Sequence, residues 1–143
     1  MSIVKRLQVA ATVTATGGAS QAFFTNPIVG GQIESIRYRR GAVLTGAATT
    51  SGFATVAHVN ITGALSGITI ITATATGDVT WYPRAGAMDV SGGALGYSSA
   101  GTPPSIPVPI SIAEERIKIE VTSGGAASNG GLHSIFEIYY TGM

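Results

Sequence analysis

The chain has no cysteine and little charge, and each shortage excludes a class of protein. Without cysteine there are no disulfide staples and no thiolate metal sites. Asp, Glu, Lys and Arg make up 10% of the residues, where a globular domain commonly has about 25%. Between Gly41 and Gly77 none of the four occurs, and His58 is the only ionisable ring there. A net charge of +1 gives no basic face for nucleic acid, so no direct nucleic-acid partner is expected. Long hydrophobic runs are missing too. The most apolar stretch, Ala64 to Ala73, is broken by Ser66, Gly67, Thr69 and Thr72, well short of the roughly 20 residues a spanning helix needs. No membrane partner is expected, and Met1–Arg6 runs into alternating residues, not the apolar core of a signal peptide. A surface so poor in charge disperses badly by itself. The expectation is an assembly component, part of whose surface a neighbour covers.

What is present is a β pattern. Glycine (20) and proline (6) recur at short intervals, separating segments rich in Val, Ile, Thr, Tyr and Phe at period two. Expected strands are Ile3 to Ala15, a short piece at Ala22-Phe23-Phe24 before an Asn26-Pro27 turn, and Gly31 to Arg40. Phe53 to Thr62 and Gly67 to Thr76 follow, the latter dense enough in β-branched residues to be buried on both sides. Val79 to Tyr82 stops at Pro83 and suits an edge. Ser105 to Ile112, with Pro107 and Pro109, is a poor central strand. Glu114-Glu115 is placed to open a single turn. Arg116 to Val121 turns Ile117, Ile119 and Val121 inward, and Leu132 to Thr141 sets Phe136, Ile138 and Tyr140 against Ile135, Glu137 and Tyr139. Residues 85–104 form a long irregular stretch, uncommon unless it binds or reaches something. The fold class is all-β: an antiparallel, jelly-roll-like sandwich of about eight strands with little or no helix. It is read as one domain over residues 1–143, with 1–30 a candidate extended strand or arm. The uncharged Gly41–Gly77 stretch is expected at the centre of the fold or assembly, and the charged 1–40 and 114–120 segments at its rims.

Catalytic chemistry finds no foothold in this pattern. His58 and His133 sit in strand patterns without HxH or HExxH spacing; with Asp78 or Asp89 they amount to half a metal site at best. No Gly-x-Ser-x-Gly elbow occurs. Glu114 and Glu115 point to opposite sides of an extended chain and cannot cooperate as glycosidase carboxylates do. The glycine pairs lack the strand–loop–helix setting of a phosphate cradle. The expectation is no enzyme, no cofactor, no metal.

Binding chemistry has more material. Trp81-Tyr82-Pro83-Arg84 offers an aromatic platform with a hydrogen-bonding neighbour, or a core or interface plug. Tyr38 beside Arg37, Arg39 and Arg40 suits an oligomer contact or the capture of a carboxylate or phosphate. Residues 1–40 carry five cations (Lys5, Arg6, Arg37, Arg39, Arg40) against Glu34 alone, and residues 41–143 three cations against six acids. A basic N-terminal region docking on an acidic neighbour, a second copy included, is one reading; scatter among few charges is the other. The candidate partner-binding set is Lys5, Arg6, Arg37, Tyr38, Arg39, Arg40, Trp81, Tyr82 and Arg84.

The strand ending in Tyr38-Arg39-Arg40-Gly41, the Tyr82-Pro83-Arg84 strand end and the Pro107-x-Pro109 segment resemble parts of a known protein class. So does Glu115 to Val121, leading through a Gly-rich connection into a final aromatic strand. The class is the small β-sandwich structural proteins of tailed bacteriophages, in particular capsid decoration or cement proteins. The resemblance implies a non-enzymatic virion protein on the capsid surface, a homodimer or homotrimer that clamps subunits of the major capsid protein. A head–tail connector or tail protein is the first alternative. The second is a carbohydrate-binding module or fibre-head domain using Trp81.

Overall fold

The computed structural model describes residues 3–14, 20–44, 52–54, 57–74, 77–86, 107–123, 125 and 131–142. Among them every regular element is a strand: β1 (Ile3–Val13), β2 (Ser20–Phe24), β3 (Ile28–Arg40), β4 (His58–Gly63), β5 (Thr69–Thr74), β6 (Val79–Trp81), β7 (Ala85–Gly86), β8 (Pro107–Val108), β9 (Ile110–Glu115), β10 (Ile117–Thr122) and β11 (Leu132–Gly142). The larger sheet runs β1-β11-β3-β6, with β9 also on β3; the smaller runs β2-β10-β4-β5, and β7 and β8 pair with each other.

The pairing has a simple logic. Antiparallel pairs β1·β11, β2·β10, β3·β6 and β4·β5 nest around one hairpin. Rolling that ribbon brings β11 against β3 and β10 against β4, which closes the two sheets. This is jelly-roll connectivity, and it places the apolar face of each strand inside. Alternation on β10 shows why the sequence complies. Ile117, Ile119 and Val121 are buried, while Lys118 and Glu120 face out. Ile119 and Val121 lie opposite Ile61 and Val59 of β4, and all join one core with Ile36, Tyr38, Phe136 and Ile138 of the larger sheet.

Tyr38, fully buried, is the hub of the aromatic core. Its ring lies 5.1 Å from Phe136, 6.1 Å from Phe53 and 5.9 Å from Trp81, and the Trp81 contact is stacked. The Tyr38 hydroxyl meets Ser134 Oγ at 3.0 Å. Burial pushes its pKa above 10.0, an effect the Ser134 bond and the Arg40 charge only partly offset.

Corners carry the chain between sheets. Thr25 joins β2 to β3: its N–H donates to the Ile117 carbonyl and its Oγ1 accepts from Ile117 N–H, both at 3.0 Å. Glu114, at φ 51°, turns β9 out of the larger sheet into β10 of the smaller one. That left-handed conformation costs a non-glycine residue about 1–2 kcal/mol. Glu115 then points inward, and its carboxylate accepts from Ser66 N–H (3.3 Å) and Ser66 Oγ (2.9 Å), fastening the β4–β5 turn. Glycine at 63 keeps the carboxylate in place, because a Cβ there would run into Glu115 Oε1.

Several expectations need correction. The stretch expected to be buried on both sides, Gly67–Thr76, supplies the edge strand β5, of whose residues only Ile70 is buried; residues 75 and 76 lie outside the described residues. The strand expected from Phe53 starts at His58; Phe53 and Ala57 are buried ahead of it, with Ala57 N–H bonded to the Ala54 carbonyl. Glu114-Glu115 opens no turn of helix but forms the strand corner. Among the described residues of the 1–30 stretch, β1 is an extended strand paired along the whole of β11, and β2 lies in the other sheet. The charged segments are rims only in part: β1 and β2 are the edges of their sheets, whereas β3 and β10 lie inside them. Of the 85–104 stretch, Ala85–Gly86 pairs with Pro107–Val108; residues 87–104 lie outside the described residues, as does Asp89.

Candidate functional site

The outward residues of the larger sheet gather most of its polar chemistry. Because Val9, Ala11 and Val13 face the core, the even-numbered residues of β1 face out. On β3 the outward side holds Arg37 and Arg39, and on β11 it holds Ile135, Glu137 and Tyr139. Register sets them in rows: Arg39, Ile135 and Ala10; Arg37, Glu137 and Gln8; Ser35, Tyr139 and Arg6.

Glu137 is the anchor of this face, with 2% of its surface exposed. Arg39 Nη1 donates to its Oε1 at 3.2 Å, and the Tyr139 hydroxyl donates to its Oε2 at 2.6 Å. Burial pushes its pKa up. The Tyr139 and Arg39 hydrogen bonds and the charges of Arg37 and Arg39 more than reverse that, holding it below 4.5. A central strand explains the burial: β11 has a neighbour on each side, and long side chains from both cover it.

The nine candidate residues therefore separate. Arg6, Arg37 and Arg39 share the outer face. Tyr38, between two of them in sequence, points the other way into the core, and no partner reaches it. Arg40 is taken up at the end of the sandwich, where its Nε donates to the Phe53 carbonyl (2.6 Å) and its N–H to Asp78 Oδ1 (2.9 Å). Arg84 is a backbone clamp, donating to the carbonyls of Pro83 (2.7 Å) and Glu34 (3.1 Å) with the Glu34 carboxylate 3.9 Å away. Trp81 lies partly buried on the inner side of β6, one ring face on Tyr38. Tyr82 is exposed, and Lys5 is exposed on β1 opposite Tyr140. The two histidines face out on different sheets: His58 on β4, and His133 on β11 with Nδ1 3.1 Å from Thr12 Oγ1. They cannot share a metal, and no group of metal-ligating side chains occurs among the described residues.

Sequence reading missed a second surface. Among the described residues eight large hydrophobics are exposed, and six of them fall at one end of the sandwich: Ile3, Val4, Phe24, Val29, Leu65 and Ile68. That end is where β1 begins, β2 turns into β3, and β4 turns into β5. Leu65 and Val29 are more than four-fifths exposed. A shallow cavity of about 380 Å³ opens there between Phe24, Pro27, Ala64 and Leu65, rimmed by Glu114 and Arg116. Apart from the adjacent Ile3 and Val4 these residues are spread along the chain, so only the topology collects them.

Comparison with protein-family models, with curated proteins and with solved structures returns no match to this chain.

Proposed function

We propose that this protein is a structural component of a tailed-phage virion, a cement protein that sits on the capsid and clamps neighbouring subunits of the major capsid protein. The observation that carries the reading is the apolar end. A patch of separate, exposed aliphatic and aromatic side chains around a shallow cavity is an interaction surface, and here it belongs to a chain too poor in charge to shield it. The jelly roll supplies a rigid block on which such a patch keeps its shape; the fold alone carries no function. Each contact is modest, and symmetric repetition over a shell multiplies it.

The carbohydrate reading draws little support, because Trp81 gives one ring face to Tyr38. The connector or tail reading differs in copy number. Quantitative mass spectrometry of purified particles tests both: a cement protein is present in hundreds of copies, and particles lacking it lose their contents at lower temperature. A dozen copies or fewer, with unchanged heat resistance on removal, would refute the cement role.

A further inference from the structure

We infer that the outer face of the larger sheet recognises carboxylates on a partner protein, with Arg6 and Arg37 as the groups that contact them. The inference begins from which cations have acceptors. Arg39, Arg84 and Lys118 each lie within 4 Å of a carboxylate, and Arg40 donates to a backbone carbonyl. The side chains of Lys5, Arg6, Arg37 and Arg116 have no hydrogen-bond or ion-pair partner among the described residues. Two of these four, Arg6 and Arg37, stand on one face on either side of Glu137 and Tyr139. Strand spacing and rise put their Cα atoms about 12 Å apart, so two long side chains can reach towards a common ligand over Tyr139.

The Arg37 charge acts on Glu137, but among the described residues the carboxylate forms its ion pair with Arg39 and none with Arg6 or Arg37. Its two oxygens already accept from Arg39 and Tyr139. On this side Arg6, Arg37, Arg39 and Arg84 outnumber Glu34 and Glu137 by two, whereas Lys118 and Glu120 balance on the outer face of the smaller sheet. The excess is therefore directional, and it lies on a sheet face whose other residues, among them Ala10, Ser35 and Tyr139, let a flat partner approach closely.

Charge count selects the occupant. Neutralising two phosphates gives a salt slope of only about −1.8, whereas DNA binding of useful strength takes roughly 6–10 such contacts. Anionic lipid is held by clusters of about 4–8 basic residues, roughly two to four times the two free guanidiniums of this face. Two guanidiniums do suit a pair of carboxylates, each of which can be gripped by parallel hydrogen bonds. Naming the partner as a shell subunit rests on the proposed virion role; recognition of carboxylates does not.

The test titrates the isotope-labelled full chain with hexaglutamate peptide, a short single-stranded DNA and phosphatidylserine vesicles, followed by amide chemical shifts. The peptide is expected to move the amides of Arg6, Arg37 and Tyr139. The double variant Arg6→Gln/Arg37→Gln weakens it at least about tenfold, as loss of two charge-assisted contacts requires. Lys5→Gln/Arg116→Gln removes the same charge elsewhere and changes affinity less than about twofold, the mark of a local rather than net-charge effect. Both variants alter exposed residues, and thermal melts check that they stay folded. The inference is overturned by no shifts on this face, by equal weakening in the control variant, or by tighter binding of DNA or vesicles. Absence of the protein from particles would remove the shell as partner and leave the peptide result standing. Failure with the peptide leaves the copy-number test untouched.

Discussion

Replacing Glu137 by glutamine tests the electrostatics of the outer face in one step. The carboxylate is buried and accepts two hydrogen bonds, from Arg39 at 3.2 Å and Tyr139 at 2.6 Å. Charge-assisted bonds contribute about 1.5–3 kcal/mol and neutral ones about 0.5–1.5, so each bond loses about 1 kcal/mol in the amide. The neutral side chain is cheaper to bury, and the net loss at pH 7 is about 1–2 kcal/mol. With a urea dependence of about 2 kcal/mol per molar, the unfolding midpoint falls by roughly 0.5–1 M. Trp81, the single tryptophan, stacks on Tyr38 in the folded state and provides the fluorescence signal. Acid supplies the decisive control. A carboxyl whose pKa is lowered by folding contributes stability that is present above its ordinary value of 4.5 and is lost as pH falls through its native value. The Glu137→Gln chain lacks that contribution at every pH. The gap between the two proteins must therefore close below about pH 4.5. A gap that persists unchanged in acid, or none at pH 7, would refute the reasoning.

Three further substitutions test the core and corners by urea unfolding. Tyr38→Phe leaves Ser134 Oγ without its partner and costs about 1–2 kcal/mol; no measurable loss would mean the buried bond is unimportant. Gly31→Ala places a Cβ against the Thr141 carbonyl, where β3 passes β11, and costs about 1–3 kcal/mol. Glu114→Gly relieves the left-handed backbone at the corner and stabilises by about 0.5–1 kcal/mol, whereas destabilisation would show that the glutamate side chain holds the corner.

Alternation was a sound guide wherever a strand has one face on the core. The inward set Ile117, Ile119 and Val121 follows from period two alone. Alternation also placed Tyr38 and its flanking arginines on opposite faces of the strand, yet the binding set grouped them because they adjoin in sequence. β5 misled for a related reason. Its β-branched residues read as buried, but hydrophobic density does not say whether a strand has one neighbour or two. Alternation set Glu137 on the face opposite Phe136 and Ile138; its burial comes from lying on a central strand, a fact of pairing.

The sequence by itself determined local conformation and the assignment of residues to faces. Steric preference of β-branched residues and turn chemistry act within a few positions. It thereby settled the fold class. Tertiary structure decided what meets what. Rolling the ribbon set Arg6 beside Tyr139 and Arg37 beside Glu137, left both guanidiniums without an acceptor among the described residues, and gathered six apolar residues at one end. Those outcomes depend on contacts between residues as far apart as β1 and β11, where the energy of pairing is shared by whole strands and no single stretch encodes it.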